Sequence, residues 1–315
     1  MPELAVLNHD AVLQAVSPEA AIAATRDAFV KHRRGEWVMP PKVYLQSQPH
    51  GDFRAMPARG DDVAILKWIS SFPGNPVKGL PTVIGLLVVS DATTSEPRAL
   101  LDAGAVTALR TGAAAAVAAS ALAAQPDGTV GLIGCGLNGS FAARCLAAAG
   151  FGPGVCHDPR PDAAQALADE LGWRAGTREE ALAQDVVTCV TPGAEPVVRL
   201  EDLHPGLHLN MLGADGSGKA EATVDAVVGA RLFCDEWAQA SHGGELTGAV
   251  ESGRIAREDV TELGGVLVGE AAGRVTSEEV TLFDSTGLAI QDLAIARAVL
   301  DALADGRVEA QTIRL

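Results

Sequence analysis

The chain has 315 residues, 48% of them hydrophobic and 20% charged, a length and balance that suit about two globular domains with substantial cores. Its 40 acidic against 24 basic side chains give a formal charge of −16, which repels phosphate backbones and sets nucleic acid aside as a partner. Cys135, Cys145, Cys156, Cys189 and Cys234 form no CxxC pair, and no basic segment followed by an apolar one opens the chain, so no disulfide framework or secretory signal is expected and a reducing cytoplasm is.

In chain order, "SPEAAIAATRDAFVKHRRG" predicts a helix started by Ser17 and Pro18, with Ile22, Phe29 and Val30 on one face and Gly35 as its stop. From Met39 to about Ala103, short β-type runs alternate with the turn sequences "QPHGD", "PARGDD", "FPGNP" and "ATTSEP", which predicts a mostly antiparallel sheet. Within it Lys67 has apolar neighbours on both sides in "VAILKWISS". Buried there, its ammonium is desolvated and its pKa falls; on an edge strand it snorkels to water. "AVTALRTGAAAAVAASALAA" is a long Ala-rich helix. Its apolar run from Arg110 to Gln125 reads as too short for a membrane span of roughly 20 residues, so no membrane partner is expected.

The helix leads into "GTVGLIGCGLNGSFAARCLAAAG", read as strand, glycine turn and helix. Gly134, Gly136 and Gly139 fall at GxGxxG spacing, where the first makes the tight turn, the second admits a pyrophosphate and the third lets helix and strand pack closely. Leu137 and Asn138, at the start of that helix, join the cofactor contacts, because its first N–H groups are free for an anion. Asp158 ends the next strand, "GVCHD", 24 positions after Gly134, where a ribose-binding acid is expected; it favours NAD over NADP, with Arg160 two residues on able to turn toward a 2′-phosphate. Further strands at Asp185 to Thr191, Leu207 to Leu212 and around Leu232 to Cys234 imply a parallel sheet, and "GLAIQDLAIARAVLDALADG" predicts an amphipathic helix.

Arg110 is a cation in an Ala-rich helix, matched either to a phosphate or carboxylate or to a solvated helix face. Asp215 follows the carboxyl end of a strand, where ligands of open α/β sheets bind, or else it occupies a surface turn. His204, His208 and His242 show no metal-ligand spacing, and no metal site is expected.

The co-linear set "MPPK", "FRAMPA", "LKWISSFPGNPVKGLPTVIG", "VTALRTGAAAA", "GLIGCGLNG", "DVVTCVTPGAEPV", "LHLNMLGADGSGKAE" and "FDSTGLAIQD" resembles the ornithine cyclodeaminase/mu-crystallin family, which includes alanine dehydrogenases and ketimine reductases. The resemblance implies an α/β fold with a central Rossmann domain (118–290) and a discontinuous α+β substrate and dimerisation domain (1–117 with 291–315). It also implies a homodimer, and catalysis in the cleft between domains. By position Lys67 resembles the family's active-site lysine and Asp215 the carboxylate beside the substrate's amine carbon. Thr82, Arg110 and Thr111 resemble cofactor contacts, Arg110 facing the pyrophosphate, and Thr191 and Lys219 positions lining the nucleotide groove. Cyclodeaminases carry a glutamate where this chain has Arg54, and an arginine near Lys42. The Lys42 and Arg54 combination is similar to the dehydrogenase branch, with both as substrate-binding residues.

The expected function is NAD(P)-dependent hydride transfer at the α carbon of a small 2-amino or 2-imino acid, with Lys67 and Asp215 handling protons. A cyclodeaminase that recycles its NAD, and a nucleotide-binding crystallin-like protein without turnover, are the alternatives.

Overall fold

A computed structural model describes residues 3–193, 195–216 and 218–314. The chain divides into two compact units, Met1–Arg110 with Leu288–Leu315, and Thr111–Gly287. The first opens with β1 (Glu3–Leu7), α1 (His9–Ala15) and α2 (Pro18–Arg33). Side chains set both helix starts: Asn8 accepts from the Ala11 N–H at 3.0 Å, and Ser17 from the Ala20 N–H at 3.3 Å, with Pro18 in the first turn, where no N–H is needed. α2 buries Ala21, Thr25, Ala28 and Phe29, a face spaced by three and four residues. Strands β2 (Val43–Ser47), β3 (Gly51–Gly60), β4 (Val63–Ser71), β5 (Val83–Asp91) and β6 (Pro97–Asp102) follow, then α3 (Ala103–Leu122).

At 20 residues, α3 has the length read for the Ala-rich helix and begins at Ala103, so the run taken as too short to span a membrane, 110–125, is only part of a longer apolar helix. By length and composition it is apolar enough to cross a membrane, yet 83% of its most apolar window is buried inside the protein, as in a core helix.

The second unit holds β7 (Val130–Ile133), α4 (Leu137–Ala148), β8 (Gly154–His157), α5 (Pro161–Leu171), β9 (Arg174–Ala175), α6 (Arg178–Leu182), β10 (Val186–Cys189) and β11 (His208–Met211). After them come α7 (Val224–Val228), β12 (Arg231–Cys234), α8 (Trp237–Gly243), α9 (Thr247–Glu251), β13 (Val260–Glu262), α10 (Leu263–Leu267) and β14 (Thr281–Asp284). Its strands pair in parallel in the order β13-β12-β14-β11-β10-β7-β8-β9. Every residue of β7, β10, β11 and β14 is buried, the polar Thr188, His208, Asn210, Thr281 and Asp284 included, so these strands are covered on both faces and do not alternate between buried and exposed. The chain leaves β7 toward β8 and β9 and returns on the other side at β10. That reversal opens a crevice at the carboxyl ends of β7 and β10, the place where such sheets bind ligands.

The chain closes the first unit with α11 (Ala289–Ala304) and β15 (Gln311–Arg314), giving a seven-stranded sheet in the order β15-β1-β6-β5-β4-β3-β2, antiparallel except at β1 and β6. Met56, Ala58, Ile65, Lys67, Leu87, Val89, Ala99 and Leu101 alternate onto its inner face, and α11 packs on β3, β4 and α2. That packing overturns the amphipathic reading of α11, since residues 289–296 are all buried. On the outer face Leu66, Trp68, Leu86 and Val88 are exposed, and Phe53 stacks on Trp68 with ring centroids 5.4 Å apart.

Candidate active site

In the second unit the site begins at the turn from β7 into α4. Gly134 has φ +100°, and a Cβ there would lie 2.4 Å from the Val190 carbonyl oxygen. A Cβ on Gly139 would lie 1.9 Å from the Gly134 oxygen, so helix and turn touch without side chains between them. At Gly136 a Cβ would point into open space, and Gly136 caps α4 without a side-chain hydrogen bond. The turn thus presents the N–H groups of Leu137, Asn138 and Gly139 at the end of a 12-residue helix, a cradle that fits a pyrophosphate.

Asp158 follows β8 and is bound to that turn, accepting from the Cys135 N–H at 2.8 Å. It also accepts from the Arg160 N–H and Nε, both at 2.9 Å, and from Nη2 at 3.1 Å. Burial works against its charge, but the hydrogen bonds from Arg160 and Cys135 outweigh it and hold the carboxyl below its usual range. Thr111 is buried on α3, and its hydroxyl finds no partner among the described residues. Thr191 follows β10, with its hydroxyl accepting from the Gly193 N–H at 3.2 Å. In the loop after β11, Asp215 pairs with Lys219 at 2.6 Å.

In the first unit Lys67 lies on β4, an interior strand between β3 and β5, opposite Met56 and Leu87, and is 1% exposed. Burial and not an edge-strand position therefore governs it. Its ammonium donates to the Thr107 hydroxyl at 2.6 Å and to Asp292 Oδ1 at 2.8 Å, and Thr107 donates onward to the Ala103 carbonyl at 2.6 Å. Arg110 Nε lies 3.7 Å from the same Asp292 oxygen. Burial is the main force lowering the Lys67 pKa to about 8; Asp292 opposes it, and Arg110 and Arg54 add to it.

Arg54, on β3, is 7% exposed and forks onto Asp52, with Nε to Oδ1 at 2.6 Å and Nη2 to Oδ2 at 3.3 Å, while its guanidinium covers the Tyr44 ring at 5.4 Å. Sequence reasoning treated Arg54 as a cation offered to a ligand; the structure gives it a carboxylate two residues away. Lys42, half-buried, precedes β2, and Thr82, also half-buried, precedes β5 and accepts from the Phe72 N–H through its carbonyl at 2.8 Å.

Asp292 is the residue that sequence reading passed over. It is fully buried in the first turn of α11, and its Oδ2 has no hydrogen-bond partner among the described residues. The signal was the polar pair Gln291–Asp292 inside an apolar helical run.

Residues 3–307 match the model of the ornithine cyclodeaminase/mu-crystallin family. The chain is 42% identical over 306 residues to the alanine dehydrogenase of Archaeoglobus fulgidus, covering 95% of each chain. It is 32% identical over 311 residues to the iminosuccinate reductase of Paracoccus denitrificans, covering 95% of this chain and 96% of the relative. A solved archaeal alanine dehydrogenase dimer with bound NAD matches all of both chains at 40% identity with a TM-score of 0.94.

Proposed function

The chain belongs to the ornithine cyclodeaminase/mu-crystallin family, and from that premise we propose that it is an NAD-dependent oxidoreductase acting at the α carbon of a small 2-amino or 2-imino acid. The observation that carries this reading is the buried cationic cluster of Lys67, Arg54 and Arg110 in a chain whose other unit presents a glycine cradle for a dinucleotide. The similarity to an alanine dehydrogenase and to an iminosuccinate reductase supports the substrate class. On this reading the unit 111–287, in place of the expected 118–290, is the nucleotide-binding domain, and 1–110 with 288–315, in place of 1–117 with 291–315, binds substrate and forms the interface of a homodimer. The exposed apolar outer face of the sheet supports that interface, as does the dimeric state of the solved relative.

Bound NAD supplies the hydride acceptor in one direction and, reduced, the donor in the other. The chain's own residues bind, orient and move protons. The N–H groups of Leu137, Asn138 and Gly139 would hold the pyrophosphate, with Arg110, Thr111, Thr191 and Lys219 as the further contacts that the family resemblance implies. Asp158 would accept from the adenosine ribose hydroxyls, and its charge would repel a 2′-phosphate. Arg54, with Lys42, holds the substrate carboxylate in a planar fork. Lys67, with a pKa near 8, is mostly an ammonium at neutral pH and sits close enough to neutrality to give up or regain its proton during turnover. Asp215 handles the proton at the amine carbon.

The test follows the absorbance of reduced nicotinamide with NAD and small amino acids, and with NADH, 2-oxo acids and ammonia. Stoichiometric change in NADH with a small or acidic substrate is expected. Conversion of ornithine or lysine to a cyclic imino acid and ammonia, without net change in NADH, would replace this reading with a cyclodeaminase.

A further inference from the structure

Two buried carboxylates in the second unit have no part in the chemistry above. Glu221, in the loop between β11 and α7, is fully buried, and Glu245, between α8 and α9, is nearly so. Their partners are backbone N–H groups. Glu221 Oε1 accepts from Thr191 at 2.6 Å, and Oε2 from Leu212 at 3.0 Å and Gly213 at 2.7 Å. Glu245 accepts from the Glu221 N–H with both oxygens, at 3.0 and 2.9 Å, and from the Ala222 N–H at 2.6 Å. Burying a carboxylate is strongly unfavourable unless its oxygens are hydrogen-bonded, so such groups persist where they fix backbone geometry.

The N–H groups they hold lie at one end of the sheet. Thr191 comes two residues after β10, and Leu212 and Gly213 come directly after β11, leading to Asp215. The fit between the two loops is tight: a Cβ on Gly213 would lie 2.2 Å from the Thr191 carbonyl oxygen and 2.7 Å from the Glu221 carboxyl carbon.

We propose that Glu221 is a positioning residue: its carboxylate ties the loop carrying Thr191 to the loop carrying Asp215, and Glu245 fixes the backbone from which it reaches. That this tie shapes the nucleotide crevice rests on the function proposed above; the tie itself rests on the hydrogen bonds alone. In Glu221→Gln one oxygen becomes an NH2 that cannot accept, so the loops lose at least one bond to the shared group. Gly213→Ala strains the same junction by bulk while leaving Glu221 chemically intact, and serves if the first variant does not fold.

The full-length protein and both variants are compared by amide hydrogen exchange without nucleotide and by NADH titration followed through nicotinamide fluorescence. Exchange is expected to rise about tenfold or more in the segments around 190–193 and 211–216, with β7 and α4 still protected, and the NADH Kd to rise by about the same factor, the size expected for loss of a hydrogen bond to a charged group. Unchanged exchange in both variants overturns the tie. Faster exchange throughout the second unit also overturns it, because Glu221 then supports the whole fold. Local exchange with an unchanged Kd overturns its role in the crevice. Local exchange in a protein whose wild type binds no NADH supports the tie and overturns the functional reading instead.

Discussion

Buried and half-buried charge in the first unit is mainly positive and meets other side chains: Lys67, Arg54 and Arg110 against Asp292 and Asp52. In the second unit the groups compared are acids, Glu221 and Glu245, held by backbone N–H groups of loops. The contrast separates two uses of a buried ion. A cluster with more cations than carboxylates keeps residual positive charge, which suits an anionic substrate group and leaves each pKa open to its neighbours. A carboxylate closed by N–H groups offers little to a ligand but holds loops in place.

Removing the charge proposed to handle the proton should have the largest effect. Lys67→Ala is expected to lower kcat by at least about 100-fold, the lower range for a positioned acid or base, with NAD affinity nearly unchanged; Asp215→Ala should match it. Near-normal turnover in either variant removes that residue from the mechanism. Arg54→Ala comes next, with a loss in kcat/KM of about 2 kcal/mol, or roughly 30-fold, larger in KM for the carboxylate substrate than in kcat. An unchanged KM would mean that Asp52 already satisfies Arg54 and the substrate's acid end lies elsewhere.

Asp292 sharpens the comparison, because its charge raises the Lys67 pKa against the pull of burial. The pH profile of imine reduction should fall as pH rises through about 8, where Lys67 loses its proton, and in Asp292→Asn this break should move to lower pH. A break that stays in place would uncouple the pair.

The smallest effect concerns Glu245, whose pKa is raised to about 8, first by burial and then by the neighbouring charge of Glu221. Between the ordinary carboxylate range and pH 8 the folded state holds a proton that the unfolded chain has lost, so this contribution to stability declines as pH rises across that window. The wild-type Tm should fall from pH 5 to 8 more steeply than that of Glu245→Gln, as read by calorimetry.

The glycine turn proposed to hold the nucleotide was legible as a turn between strand and helix because its signals are local. Gly134, Gly136 and Gly139 lie within six residues, and the GxGxxG spacing and the position of Asp158 are written along one β-turn-α-β stretch. Lys67 stood out by its apolar neighbours in "VAILKWISS", and family resemblance gave it a role and brought in Arg54. Asp292 escaped because its partner is 225 residues away in sequence, and Glu221 because a glutamate in a polar loop looks like a solvated one until the fold closes over it. The helix α11 was misjudged for a related reason: periodicity shows one apolar face, while packing against β3, β4 and α2 buries its whole first half.

The outer face of the first unit's sheet sets a condition on the protein's working range. With Leu66, Trp68, Leu86 and Val88 facing outward, a separated chain shows water a twisted apolar surface with Phe53 and Trp68 at its centre. When a second copy covers it, folding and assembly share one equilibrium, and mass action makes the thermal midpoint climb with protein concentration. For the homodimer proposed above, dilution would then act as a mild denaturant of the sheet carrying Lys67 and Arg54.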